Sequence, residues 1–175
     1  GHGTAPRILI GCDTRKSSRM LTAALAAGVC SVGGEVLNLG IIPTPAMAHL
    51  VRAYGADAAV MVSASHNSME FNGIKWFDRL GCKLSDAAED AIEALVKEPS
   101  PLPSPVGEKV GNIQPVPRAL EEYKEFLIGC SAGNLNGLTL VLDCANGSAA
   151  TVAPAVFRTL GARVLAFDDA PDGCN

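Results

Sequence analysis

The sequence predicts an α/β fold, and three observations carry that prediction. Short apolar runs, Arg7 to Cys12, Glu35 to Leu39 and Ala58 to Val62, alternate with stretches of helical period, the pattern of β-α-β units. Glycine and proline punctuate these segments at Gly33-Gly34, Thr44-Pro45 and Gly55. Hydrophobic residues make up 48% of the 175 residues but aromatics only 5%, so the core must be built from small and branched side chains in tightly packed layers.

Each element has its own signal. Ile8, Leu9 and Ile10 in a row make Arg7 to Cys12 a buried strand. Asp13 to Ser18 is a polar turn in which Ser17 or Ser18 is placed to cap a helix from about residue 19 to 32. Met20, Ala24, Leu25, Gly28, Val29 and Val32 form its expected apolar face. Gly33-Gly34 stops it in the manner of a left-handed cap, and Glu35 to Leu39 is the second strand. Thr44-Pro45 starts a helix that runs to about Tyr54, where Gly55 ends it. Ala58 to Val62 and Ile74 to Phe77 are further strands, and Ser85 caps a helix to about Lys97.

Residues 99 to 117 hold Pro99, Pro101, Pro103, Pro105, Pro115 and Pro117, and read as an extended connection. A short helix over about 118 to 128 leads to a boundary near Gly133 to Gly137. Beyond it the pattern begins again, with strand Leu138 to Leu142, polar turn Asp143 to Ser148, helix Ala149 to Leu160, Gly161 and strand Arg163 to Phe167. Leu140-Val141-Leu142-Asp143 parallels Leu9-Ile10-Gly11-Cys12-Asp13, which suggests a repeated unit. Pro154 breaks the last helix unless it lies in the first turn. The chain thus divides into residues 4–133 and the opening of a second, similar domain at 134–175.

Composition excludes several classes. The net charge is −4 with no basic run, which argues against a nucleic-acid partner. No run reaches the ~18 apolar residues a membrane span needs, so no membrane partner is expected. Cys12, Cys30, Cys82, Cys130, Cys144 and Cys174 form no C-x-x-C pair and read as free thiols of a reducing cytoplasm. Gly1-His2-Gly3 has the look of a tag, so His2 is left out of functional reasoning.

The chemistry concentrates after the third strand, in Ser63-Ala64-Ser65-His66-Asn67 and Asn72-Gly73-Ile74-Lys75. A serine hydroxyl at the end of a buried strand, with loop amides, a glycine and a lysine nearby, suits a carried phosphoryl group. The alternative is a strand-end loop capped by small polar residues. A hydrolase nucleophile would need a G-x-S-x-G elbow, and Ala64 and His66 flank Ser65 instead. His66, adjacent in sequence, is poorly placed as its base. Asp13 can pair with Arg15 or cap the turn. His49 reads as structural, and Trp76 and Phe77 as core.

These segments resemble the α-D-phosphohexomutases. Ser63 to Asn67 with Asn72 to Lys75 is similar to that family's phosphoserine loop, and Gly11-Cys12-Asp13-Thr14-Arg15-Lys16-Ser17 to its first active-site segment. Pro43-Thr44-Pro45, Asp143-Cys144-Ala145-Asn146-Gly147 and Pro171-Asp172-Gly173-Cys174-Asn175 follow in the expected order. The last two are similar to the family's bacterial amino-sugar branch.

The resemblance implies a mixed sheet flanked by helices, with the family's first strand absent before Ile8. It implies phosphorylation of Ser65, charge stabilisation by Arg15 and Lys75, and proton transfer or phosphate orientation by His66. Ser63, Asn67, Asn72 and Gly73 would shape the phosphate-binding loop. The implied cofactors are Mg2+, held partly through the Ser65 phosphate, and glucose or glucosamine 1,6-bisphosphate as activator. The implied partner is a small hexose phosphate, and the oligomeric state stays open. The likeness to the amino-sugar branch implies glucosamine phosphate as the substrate; the runner-up is the glucose or mannose phosphate of sister enzymes, and the alternative of another class is a non-catalytic sugar-phosphate binding module on the same fold. Ser68 replaces the usual proline after Asn67, and Ser18 a common glycine, read here as a capping option. No D-x-D-x-D-R run for the metal occurs in the 175 residues, so they are expected not to turn over alone.

Overall fold

The computed structural model describes residues 5–98 and 101–175. The reading of Gly1-His2-Gly3 as a tag, and of Pro99 as part of the extended connection, lies outside the described residues. Strand β1 (Arg7–Cys12) is followed by α1 (Lys16–Ser31), β2 (Glu35–Ile41), α2 (Thr44–Ala53), β3 (Ala58–Val62) and β4 (Ile74–Asp78). Then come α3 (Asp86–Lys97), β5 (Ile113–Pro115), α4 (Ala119–Gly129), β6 (Thr139–Asp143), α5 (Ala153–Thr159) and β7 (Arg163–Phe167). A 3-10 turn at Gly107–Lys109 precedes β5, and another at Ser148–Thr151 precedes α5.

Five strands form one mixed sheet in the order β4-β3-β1-β2-β5, parallel except for β4, which runs antiparallel to β3. Alternation along the strands builds two apolar layers. Leu9, Leu37, Leu39, Ala59 and Met61 face α2 and α4 and meet Met47, Leu50, Val51 and Tyr123. Ile10, Val36 and Val60 face the other way and meet Ala26 and Cys30 of α1. Gly11 is required at its place, because a Cβ there would stand 2.6 Å from Ile42 and 2.7 Å from the Met47 sulfur. Strands β6 and β7 form a separate parallel pair, the same β-α-β arrangement as β1-α1-β2. Val152 and Val156, from the segment between β6 and β7, join the first layer's apolar cluster, so a continuous core runs beneath both units.

Four expectations change. Helix α1 begins at Lys16, with Arg15 at the cap position and no side-chain cap, so neither Ser17 nor Ser18 caps it. Its buried face is Ser18, Thr22, Ala26 and Cys30, while Met20 is 65% exposed. Small residues win because α1 lies close on the sheet, and Leu25 and Val29 reach the core only from its flank. The proline-rich stretch is not wholly a connection, since Ile113–Pro115 pairs with β2. Proline is tolerated there because β5 is an edge strand with one unpaired side. The last helix is shorter than expected, with Pro154 in its first turn, where its missing N–H costs nothing.

Ser85 does cap α3, accepting a hydrogen bond from the Ala88 N–H at 3.3 Å. All six cysteines are free, with Cys12, Cys30 and Cys144 buried. Among the described residues no helix is long and apolar enough to cross a membrane.

Candidate active site

The strand order places a site before any side chain is considered. From β1 the chain passes through α1 to β2 on one side, then through α2 back across to β3 on the other. The loops leaving β1 and β3 therefore diverge at one edge of the sheet, the switch point where α/β folds bind ligands. A cleft of about 640 Å³ opens there. Asp13, Thr14 and Arg15 line it from β1, and Ser63, Ser65, His66, Asn67, Ser68 and Met69 from β3. Ala145 to Ser148 and Gly173 to Asn175 form the opposite wall.

Ser65 is exposed and has φ +58°, the left-handed region that a non-glycine residue seldom adopts. Its N–H donates to Ser63 Oγ at 3.1 Å, so Ser63 shapes the loop from a buried position. Ser65 Oγ lies 3.3 Å from His66 Nδ1, a long but direct contact between neighbours. His66 is thus nearer the hydroxyl than sequence adjacency suggested.

Arg15 holds the loop from beneath. Its Nε donates to Asp13 Oδ2 at 2.8 Å, and its two terminal nitrogens donate to the carbonyl oxygens of Ser65, Asn67, Ser68 and Phe71. Asp13, only 8% exposed, both pairs with Arg15 and caps the turn, accepting from the Arg15 N–H at 3.2 Å. Ser18 Oγ donates to the same carboxylate at 2.6 Å. That bond is the use of the buried Ser18, in place of the capping role expected from sequence.

The second motif fixes the loop's far end. Asn72 Nδ2 donates to Ser17 Oγ at 2.9 Å and Ser18 Oγ at 3.0 Å, while Asn72 Oδ1 accepts from the Gly73 N–H at 2.8 Å. The Ser63 N–H donates to Gly73 O at 2.8 Å. A Cβ on Gly73 would stand 3.1 Å from Ser63 O, so the glycine permits this close crossing. Asn72 and Gly73 support the loop without lining the cleft. Lys75 does not line it either: it is half-buried on β4, opposite Met61.

The second wall was less visible in the sequence. Asn146 and Gly147, the end of the Asp143 to Gly147 motif, both line the cleft. Ala145 and Asn146 have φ +46° and +48°. Thr14 Oγ1 donates to Asn146 O at 2.8 Å, and the Lys16 N–H donates to Gly173 O at 3.0 Å, joining this wall to the first. Thr14, Thr44, Met69, Ser148, Cys174 and Asn175 also line the cleft. The signal for Ser148 was the recurrence, after β6, of the polar turn that follows β1.

A metal is not provided for by these residues alone. Asp13 is the one carboxylate lining the cleft among the described residues, and its oxygens are engaged by Arg15 and Ser18. No cluster of three or more His, Cys, Asp or Glu occurs among the described residues. A second hollow, about 570 Å³ between α2 and α4, is lined by Pro45 of the Pro43-Thr44-Pro45 motif but by no residue of the serine loop. His49 stacks there on Phe126 at 3.8 Å, and burial, helped by the Arg52 charge, pushes its imidazole pKa down, as befits a structural residue.

Residues 2–102 match the family model described as phosphoglucomutase/phosphomannomutase, alpha/beta/alpha domain I. The chain is 51% identical over 176 residues to a phosphoglucosamine mutase of Moorella thermoacetica, covering 100% of this chain and 40% of that one. It is 49% identical over 173 residues to a phosphoglucosamine mutase of Thermoanaerobacter sp. strain X514, covering 98% and 39%. A crystal structure of a phosphoglucomutase/phosphomannomutase family protein from Burkholderia thailandensis superposes with a TM-score of 0.79 at 25% identity, covering 97% of this chain and 37% of that one. The chain therefore spans about two fifths of the length of the curated relatives it matches. A serine loop clamped at the switch point of a mixed sheet, together with these matches, makes the chain a member of the phosphoglucomutase/phosphomannomutase family.

Proposed function

We propose that this chain supplies the phosphoserine wall of a phosphoglucosamine mutase, an enzyme that interconverts glucosamine 6-phosphate and glucosamine 1-phosphate. The observation that carries the reading is Ser65 itself, an exposed hydroxyl held at φ +58° over a cleft at the switch point. Relatives about half identical over nearly the whole chain and named phosphoglucosamine mutases support the choice of sugar. The division into residues 4–133 and a second domain opening at 134 belongs to the same proposal.

The chemistry is phosphoryl transfer in both directions. The bond between phosphorus and Ser65 Oγ breaks while one forms to a free sugar hydroxyl, which gives up its proton. The sugar is then a bisphosphate. After it turns round, its other phosphate passes back to Ser65 Oγ, and the released sugar oxygen takes a proton. His66, 3.3 Å from Ser65 Oγ, is the side chain of this chain best placed to orient the group or hold that proton. Ser63 and Asn67 form the loop beneath it. No step is assigned to Lys75, which stands on β4 across from Met61.

Magnesium on the Ser65 phosphate would need further ligands from outside residues 1–175, since the cleft's own carboxylate is engaged. Residues 1–175 alone are accordingly expected to give no turnover. The test is a mutase assay of the intact protein with glucosamine 6-phosphate, glucose 6-phosphate and mannose 6-phosphate. Preference for the amino sugar, abolished by Ser65→Ala, is the expected result. Preference for glucose or mannose phosphate would move the protein to a sister activity, and no turnover of any of them would leave a binding module.

A further inference from the structure

We propose that Arg15 is a positioning residue: its guanidinium holds the Ser65 loop in shape and binds no phosphoryl oxygen. The inference rests on the reading of Ser65 as the phosphoryl carrier, and it departs from the role that the motif resemblance implies for this arginine.

A guanidinium has five N–H donors and no more. Here Nε–H goes to Asp13 Oδ2, one terminal nitrogen to the carbonyl oxygens of Ser68 and Phe71, and the other to those of Ser65 and Asn67. The count of partners equals the count of donors. The side chain is 10% exposed, so little of it faces the cleft, and its charge is paired with Asp13. A phosphoryl oxygen could gain an Arg15 contact only by displacing one of these partners.

The four carbonyls all belong to the segment Ser65 to Phe71, so one planar fork ties both ends of the loop to the β1 turn. One of them is the carbonyl of Ser65, the residue with the left-handed backbone. Fixing that peptide sets the direction of Ser65 Oγ. Lysine cannot substitute, because an ammonium is a point donor without the rigid fork. Charge stabilisation for the moving phosphoryl group must come from loop amides, from His66 or from groups outside this chain.

Three readouts test this in Arg15→Lys and Arg15→Ala. The first is amide exchange in unphosphorylated protein, with strands β1 to β3 as the internal control of folding. Residues Ser65 to Phe71 should exchange at least ~10-fold faster in both variants while the strands keep their protection. The second uses protein translated with phosphoserine at position 65 and follows the phosphate by 31P titration. Its pKa should be the same in wild type and variants, whereas loss of a cation bound to the phosphate would raise it. The third follows phosphate gain on Ser65 of the intact protein from glucose 1,6-bisphosphate. The maximal rate should fall ~10²-fold in both variants, with half-saturation moving less than ~3-fold.

Wild-type loop protection and rate in Arg15→Lys, or a phosphate pKa that rises in Arg15→Ala, would overturn the proposal. Failure of the wild type to gain phosphate would instead sink the reading of Ser65, and the exchange result would still decide whether Arg15 is the clamp.

Discussion

On the serine wall of the cleft, four backbone carbonyls between Ser65 and Phe71 are bonded by a single arginine, and that arginine is itself held by a buried aspartate. On the facing wall, the turn Ala145 to Ser148 meets the first unit through one side-chain hydrogen bond, from Thr14 Oγ1 to Asn146 O. Gly173 adds one backbone bond, from the Lys16 N–H. The first wall is thus fixed before any substrate arrives, while the second, though its unit shares the apolar core, is joined to it at the cleft by two hydrogen bonds and is expected to open there at lower cost. The difference fits a division of labour. A group-transferring hydroxyl must be aimed in advance, because small errors of position are costly in rate. A wall that admits and releases a ligand must yield.

The largest blow to the contrast is Asp13→Ala. It leaves Arg15 and Ser18 without their shared carboxylate in a site where both acid and base are 10% exposed. Breaking one partner of a buried pair costs about 3–5 kcal/mol, so the loop should lose its protection and thermal unfolding should shift down. If Ser65 to Phe71 stay as protected as in wild type, the serine wall is not held from beneath as described.

A smaller effect sharpens the comparison from the other side. Thr14→Val removes the hydroxyl that donates to Asn146 O at 2.8 Å and keeps the shape of the side chain. The loss should be about 1 kcal/mol. Amide exchange around Ala145 to Ser148 should speed up, with no change at Ser65 to Phe71. Equal acceleration on both walls would mean that they open as one unit.

The effect most remote from the cleft, and seen only at high pH, lies in the joint behind the walls. The Tyr54 hydroxyl donates to Glu122, linking α2 to α4. Burial first, then the hydrogen bond to Glu122 and its charge, pushes the Tyr54 hydroxyl from 10.0 up to about 12. The folded state therefore favours the neutral phenol. Its contribution to stability is complete below pH 10 and is lost as pH rises towards 12. An ultraviolet phenolate titration of wild type and Tyr54→Phe checks this: the difference between the two curves should be one phenol titrating near 12, and a difference centred near 10 would contradict it.

Much of this was written in the chain at short range. The runs Ile8 to Ile10 and Ala59 to Val62 announced buried strands, and Ser63-Ala64-Ser65-His66-Asn67 marked where the chemistry sits. What escaped depended on distant partners. The buried face of α1 uses Ser18, Thr22, Ala26 and Cys30, which no hydropathy pattern favours over Met20 and Leu25. Strand β5 hid among prolines because an edge strand tolerates them. Arg15 was recognisable as a motif residue. That four of its five guanidinium N–H groups are consumed by a loop some fifty residues away, and the fifth by Asp13, is a property of the folded chain alone. Lys75 sits opposite Met61 rather than at the cleft because the antiparallel register of β4, invisible in sequence, decides it.

The measurement that tests the central claim most directly is peptide mapping by mass spectrometry of the intact protein, after incubation with glucose 1,6-bisphosphate and magnesium. The account predicts one added phosphate, on Ser65, absent in Ser65→Ala. A folded protein that takes up no phosphate, or takes it on another residue, would contradict the assignment of Ser65 as the phosphoryl carrier.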